Sequence, residues 1–206
     1  MRRKHAVDKA IDYEVPTWDR IYRMLLKLAQ KICQSGFKPD VIVGVSRGGW
    51  LPARVLSDLL ENANLDNVKM ETCIGIGKAK NNPSLTQCVS ADVTEKRVLV
   101  VDEIADSGYS LRLVAAHIFE HGATEVKTAT LYSKFGNKFK PDFYEKETEF
   151  WVVFPWEIKE TIREILEEKK TKVQETEKEI AKLAEAGISR QLIARFLKEF
   201  SEMKPC

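Results

Sequence analysis

Four consecutive apolar residues, VLVV at 98–101, run straight into Asp102 and Glu103 and then into a turn-forming stretch. A run this short, mostly β-branched and apolar at every position, has no polar face to offer water. It therefore reads as a strand buried on both sides. VIVGV at 41–45 has the same character and ends in Ser46, Arg47, Gly48 and Gly49. Each run leads through its turn into a helical pattern, at 51–62 and at 111–121, the second stopped by Gly122. A weaker strand at 70–76 and further strands at 127–132 and 150–154 continue the alternation. Upstream, Thr17 can cap a helix with apolar positions Ile21, Leu25, Leu28 and Ile32, beside Tyr22, Leu26 and Ala29, and Gly36 closes it. Strands alternating with helices predict an α/β fold, a mostly parallel twisted sheet with helices on both faces. Ligands of such sheets bind beyond the carboxyl ends of the strands. The polar motifs of this chain fall at those ends.

The pattern changes after Glu157. Residues 158–206 carry no strand signal. They read as three helices, marked by Ile158, Ile162, Ile165 and Leu166, by Ile180, Leu183 and Ala184, and by Leu192, Ile193, Phe196, Leu197 and Phe200 after a capping Ser189. The expected organisation is one domain over 1–157 and a C-terminal helical appendage over 158–206. Residues 184–200 look somewhat like a helix-turn-helix. From 157 to 206, however, there are 11 Lys+Arg and 11 Asp+Glu, without the basic excess usual in DNA-binding modules. The whole chain has 206 residues and a net charge of +2, which argues neither for nor against nucleic acid; on the neutral C-terminal segment, nucleic acid is not an expected partner.

No apolar run nears the roughly 18 residues of a membrane span, and the basic first residues lack the apolar stretch of a secretory signal. The expected compartment is the cytoplasm, with no membrane partner. Cys33, Cys73, Cys88 and Cys206 form no CxxC pair, and His5, His117 and His121 complete no zinc framework, so reduced thiols are expected.

Two adjacent acids at a strand end are costly unless they meet a cation, hydroxyl donors or a basic partner. Residues 105–110 then offer backbone N–H groups near a helix N-terminus, together with the hydroxyls of Ser107, Tyr109 and Ser110. That combination suits a phosphate monoester. Acids for hydroxyls beside amides for a phosphate suggest a ribose 5-phosphate. A Walker B strand fits the acids as well, but it needs a GxxxxGK[ST] loop, which the chain lacks. A strand with a solvated acidic end is the plainer option. In the first turn, Gly48 and Gly49 let backbone amides approach a ligand and Arg47 adds a fixed charge, which suits pyrophosphate. A tight turn with an exposed arginine reads equally well. Lys134 follows a strand and can donate to a carbonyl oxygen, or lie in solvent. Trp151 can stack on a base, or pack in the core.

The segment VLVVDEIADSGYS, 98–110, resembles the phosphoribosyl-pyrophosphate signature of type I phosphoribosyltransferases. SRGG followed by an apolar residue and proline, Lys134, and the Trp-x-x-x-Pro-Trp-acid pattern from Trp151 to Glu157 resemble the xanthine-guanine branch in chain order, over roughly residues 15–157. The resemblance implies the type I fold. It implies Asp102 and Glu103 on the ribose hydroxyls, with Glu103 also near magnesium (Mg2+). Ala105, Asp106, Ser107, Gly108, Tyr109 and Ser110 would hold the 5-phosphate, and Asp106 would manage the proton at purine N7. Ser46, Arg47 and Gly48 would bind pyrophosphate. Lys134 would sit on O6, Trp151 would stack on the base, and the Val152 backbone would read the base edge. Tyr109 is bulkier than the small residue often found there, a departure without effect on the loop if the ring points outward. The polar stretch 75–92 matches poorly. It reads as a long mobile loop or a hairpin, and Lys78 or Lys80 could reach the pyrophosphate.

The implied activity is transfer of 5-phosphoribosyl from phosphoribosyl pyrophosphate to N9 of a 6-oxopurine, by a homodimer or higher homo-oligomer. A ligand-sensing regulator on the same fold is the alternative.

Overall fold

The computed structural model describes residues 12–71, 84–168 and 173–202. Its contacts divide the chain into two compact units. One is Asp19–Glu149; the other joins the chain ends, Met1–Trp18 with Phe150–Cys206. In chain order the elements are β1 (Tyr13–Glu14), α1 (Trp18–Gln34), β2 (Val41–Ser46), α2 (Trp50–Leu59), β3 (Leu65–Glu71), β4 (Ser84–Gln87), β5 (Arg97–Ala105), α3 (Tyr109–Glu120), β6 (Glu125–Lys134), β7 (Phe143–Thr148), β8 (Trp151–Val152), α4 (Ile158–Glu168), α5 (Val173–Glu185) and α6 (Arg190–Glu202).

The larger unit holds a six-stranded sheet in the order β4-β3-β2-β5-β6-β7. All neighbours are parallel except β4, which runs antiparallel to β3. The apolar run at the centre of β5 is buried as its composition requires: Val98, Leu99, Val100 and Val101 are each 0% exposed. On one face, Val43, Val98 and Val100 pack with Leu111, Val114 and Ile118 of α3. The other face is turned to α2, since a side chain on Gly44 would come within 3.0 Å of Ala53 Cβ. The spacing of Ile21, Leu25, Leu28 and Ile32 gives α1 one buried stripe. The sheet is therefore α/β and mostly parallel with helices on both faces, as the periodicity predicts.

Strand lengths depart from the sequence reading in two directions. β5 continues through the acidic pair to Ala105, because β6 supplies partners for Asp102 (Thr130) and Ile104 (Tyr132). The strand expected at 150–154 is only Trp151–Val152. β7 has no counterpart among the sequence expectations. Its sequence, FYEKET, is too charged to signal a strand, yet charge suits a sheet edge. Of the stretch 75–92, Ser84–Gln87 is the strand paired with β3. Residues 72–83, with Lys78 and Lys80, lie outside the described residues.

The smaller unit is built around Val153, Ile162, Ile165, Leu183, Ile188 and Ile193, with Tyr13, Val15, Phe196 and Phe200 packed against them. The three C-terminal helices thus share a core with residues from both chain ends. β1 pairs parallel with β8, and the Tyr13 hydroxyl donates to Glu179 at 2.9 Å.

Candidate active site

The sheet order fixes where a ligand belongs. From β2 the chain crosses to β3 on one side; from β5 it crosses to β6 on the other. The carboxyl ends of β2 and β5 therefore flank the crevice at which open α/β sheets bind ligands. Ser46, Arg47 and Gly48 follow β2, while Asp102, Glu103 and the turn to α3 stand at the end of β5. Chain topology brings together the two motifs that the sequence offers as anion sites.

Their contact is intimate. A Cβ on Gly48 would run into the carboxylate of Glu103. The sequence offers ligand approach as the reason for glycine here, but the structure supplies a more immediate one: the turn lies against the acidic side chain. Ser46 is held in turn by Asn67, whose Nδ2 donates to Ser46 Oγ at 3.0 Å, and Gln87 Nε2 donates to Asn67 Oδ1 at 3.2 Å. Arg47 is exposed, and its charge acts on Glu103.

Asp102 and Glu103 are both half-buried. The Glu103 N–H donates to Asp102 Oδ1 at 3.0 Å. Burial pushes the Asp102 carboxyl above its ordinary value. Burial, and then the neighbouring Asp102 charge, push Glu103 well above the usual carboxylate range, against the opposing charge of Arg47. Glu103 Oε2 is buried and accepts no hydrogen bond among the described residues. A buried carboxylate oxygen without a donor is a position for a cation or a ligand hydroxyl. No group of three or more His, Cys, Asp or Glu side chains among the described residues could hold a metal ion. A cation at Glu103 would take its remaining ligands from a substrate or from water.

The loop after β5 has the form of an anion cradle. Gly108, at φ +72°, is the N-cap of α3, and no side chain caps that helix. The Arg112 N–H donates to Gly108 O at 3.0 Å, which starts the helical ladder. The first amides of a helix have no intrahelical acceptor, an arrangement that attracts phosphate. Ser107 Oγ accepts from the Tyr109 N–H at 3.3 Å. Asp106 and Ser107 are exposed, Ser110 is half-buried, and Tyr109 retains 38% exposure, so its ring does not fill the loop.

Strand register places the next two residues. Ala105 is opposite Ser133 in the parallel β5–β6 pair, so Asp106 and Lys134 emerge side by side. Both line a cleft of about 550 Å³ with Ser107, Asn137, Lys138 and Glu149. Asn137, Lys138 and Glu149 carry no motif; in the sequence they look like ordinary polar residues of a turn and a strand end.

Trp151 and Val152 belong to the smaller unit. Trp151 is 52% exposed, so it is not a core residue of that unit. Its N–H donates to Asp12 O and that of Val153 to Glu14 O, at 2.8 and 2.9 Å. In a parallel pair, alternate residues turn their polar groups to opposite edges. The Val152 N–H and C=O therefore point away from β1, to the other edge of β8.

Known proteins are similar to this chain in sequence and in fold. The chain is 27% identical over 151 residues to the xanthine-guanine phosphoribosyltransferase of Gluconobacter oxydans, covering 72% of this chain and 87% of that one. The crystal structure of a purine phosphoribosyltransferase from Pyrococcus horikoshii is similar at 36% identity and a TM-score of 0.64, covering 71% of this chain and 94% of that one. A hypothetical protein from Neisseria gonorrhoeae, crystallised with bound ppGpp, is similar at 25% identity and a TM-score of 0.63, covering 87% of this chain and 99% of that one. Residues 14–162 match the phosphoribosyl transferase domain, a span that takes in every site residue from Ser46 to Val152, and the chain belongs to that family.

Proposed function

We propose that this chain is a purine phosphoribosyltransferase, a glycosyltransferase of the pentosyl class. It moves 5-phosphoribosyl from phosphoribosyl pyrophosphate to N9 of guanine, hypoxanthine or xanthine, and releases pyrophosphate, in purine salvage. The observation that carries this reading is the register at the carboxyl ends of β5 and β6. It sets Asp106 beside Lys134, next to a β5 end whose Glu103 touches the Gly48 turn.

On this reading Ser46, Arg47 and Gly48 hold pyrophosphate, and Asp102 and Glu103 hold the ribose hydroxyls. Ala105, Asp106, Ser107, Gly108, Tyr109 and Ser110 hold the 5-phosphate through loop amides and hydroxyls. Lys134 donates to O6, a choice of partner that favours an oxo group over an amine. Trp151 stacks on the base and Val152 reads its edge. Asp106 accepts or returns the proton at N7. Arg47 and the loop amides stabilise charge on the departing pyrophosphate. The partnerless Glu103 Oε2 suits magnesium, which when bound neutralises pyrophosphate charge. Residues 1–157 carry the transferase site and 158–206 a helical appendage. The enzyme works in the cytoplasm as a homodimer or higher homo-oligomer.

The test is a panel of purine bases with phosphoribosyl pyrophosphate and Mg2+, read as nucleotide formed and pyrophosphate released. Turnover with 6-oxopurines and little with adenine is expected. No turnover with any base sinks the reading.

The Neisseria structure with bound ppGpp supports a second reading, in which the same site senses a guanosine polyphosphate. The two divide on one measurement. A sensor binds ppGpp and forms no nucleotide, whereas a transferase forms nucleotide and is inhibited by ppGpp in competition with phosphoribosyl pyrophosphate.

A further inference from the structure

The β5–β6 ladder ends where the site begins. Its last rung is Ala105 opposite Ser133. Beyond it, Asp106 enters the turn to α3 while Lys134 ends β6 opposite Thr148 of β7, and no rung pairs Asp106 with Lys134. Asn137 lies in the turn after β6, and its side chain reaches across the gap. Asn137 Nδ2 donates to Ala105 O at 3.1 Å, while Asn137 Oδ1 accepts from the Phe139 N–H at 2.9 Å. The Asn137 N–H itself donates to Lys134 O at 3.3 Å. The seam is tight as well as bonded. A Cβ on Gly108 would meet the Phe139 carbonyl oxygen and would come within 2.7 Å of Asn137 Oδ1. Two loops are thereby tied together, the one after β5 and the one that directly follows Lys134 at the end of β6. Asn137 also lines the cleft that Asp106 and Lys134 share.

We propose that Asn137 is a positioning residue: its amide replaces the missing rung and sets the distance between Asp106 and Lys134, and so the placement of the base against the sugar. This rests on the transferase reading above. The competing role is a plain one. The bond from Phe139 N–H to Asn137 Oδ1 is an Asx turn, which by itself shapes only the 137–139 turn. The bond to Ala105 O is the one an Asx turn does not need. It joins residues 32 positions apart.

That difference makes the two roles separable. Asn137→Asp keeps an oxygen for the Phe139 N–H and loses the donor to Ala105 O. Asn137→Ala loses both bonds and adds no charge. If the cross-loop bond positions the base, both variants lower kcat for a 6-oxopurine by about tenfold or more, since small misplacements of reacting groups are costly. The KM for phosphoribosyl pyrophosphate stays within about twofold in Asn137→Ala, because the phosphate and pyrophosphate loops keep their own amides. Asn137→Asp keeps the parent's thermal midpoint, because its turn is intact.

The experiment is steady-state kinetics on the full chain and both variants, with thermal unfolding of each. A kcat for Asn137→Asp within about twofold of the parent overturns the proposal and leaves Asn137 a turn residue. A kcat loss matched by an equal fall in thermal midpoint in both variants also overturns it. Absence of turnover in the unaltered chain removes the transferase reading, and this inference with it.

Discussion

Gly48 and Glu103 compete for one volume, and the site depends on the glycine yielding it. Gly48→Ala puts a methyl group where the Glu103 carboxylate lies. It is expected to lower kcat/KM for phosphoribosyl pyrophosphate by about tenfold or more, with far-ultraviolet circular dichroism unchanged; unaltered kinetics would mean that the turn and the acid move independently. Glu103 itself is held at a cost to the ligand-free chain, with one carboxylate oxygen buried and unpartnered. Glu103→Gln removes that charge. The expected outcome is a higher thermal midpoint without ligand and a large loss of turnover, measured on the same preparation. Asp106→Ala is expected to lower kcat by about a hundredfold, and wild-type rates in that variant remove Asp106 from the chemistry. At this scale the sequence was most informative where residue type carries the chemistry, as with Arg47, Asp106 and Lys134. It was silent on Asn137, whose partner is Ala105. A bond between residues so far apart leaves no local pattern, and an asparagine after a glycine reads only as a turn.

Elements show the opposite weakness. The sequence places β5 by its apolar run and stops at the first acid, because a charge usually marks a strand's exit into water. Pairing with β6 overrides that and keeps Asp102 within the strand. β7 is hidden for a related reason: its residues suit the edge of a sheet, where one side meets solvent. Another element is fixed by one side chain. The Asp66 carboxylate on β3 accepts from the N–H of Asn67, Ser90 and Ala91 and from the Ser90 hydroxyl, at 2.6–3.0 Å. Burial alone would raise its pKa, but these bonds outweigh burial and hold it below the ordinary value. A carboxylate lowered on folding adds stability above its unfolded pKa, about 3.9, and loses it as pH falls through the lower folded value. Amide exchange at Ser90 and Ala91, corrected for intrinsic rates, should therefore rise only below about pH 4. In Asp66→Asn it should be fast at every pH, and slow exchange in that variant would show that the segment is held by other contacts. In the smaller unit, Leu183 is fully buried, and Leu183→Ala should lower the unfolding free energy by about 2–5 kcal/mol.

Across the whole molecule, no described helix is long and apolar enough to cross a membrane. On α6 the helix-turn-helix likeness meets a charge pattern unsuited to a phosphate backbone. Arg195 pairs with Glu199 at 2.9 Å and Lys198 with Glu202 at 3.7 Å, while Lys159 also reaches Glu199. The expectation is no salt-dependent binding to duplex DNA, read by fluorescence anisotropy at low ionic strength; binding with a steep salt slope would revive the regulator. The order of strands has a stereochemical consequence. β2 and β6 lie on opposite sides of β5. On the proposed assignment, pyrophosphate departs above β2, the sugar rests above β5 and the base arrives above β6. Departure and arrival thus take place on opposite faces of the anomeric carbon. The nucleotide made should carry the inverted anomeric configuration, which the proton couplings and nuclear Overhauser contacts of the isolated product would reveal.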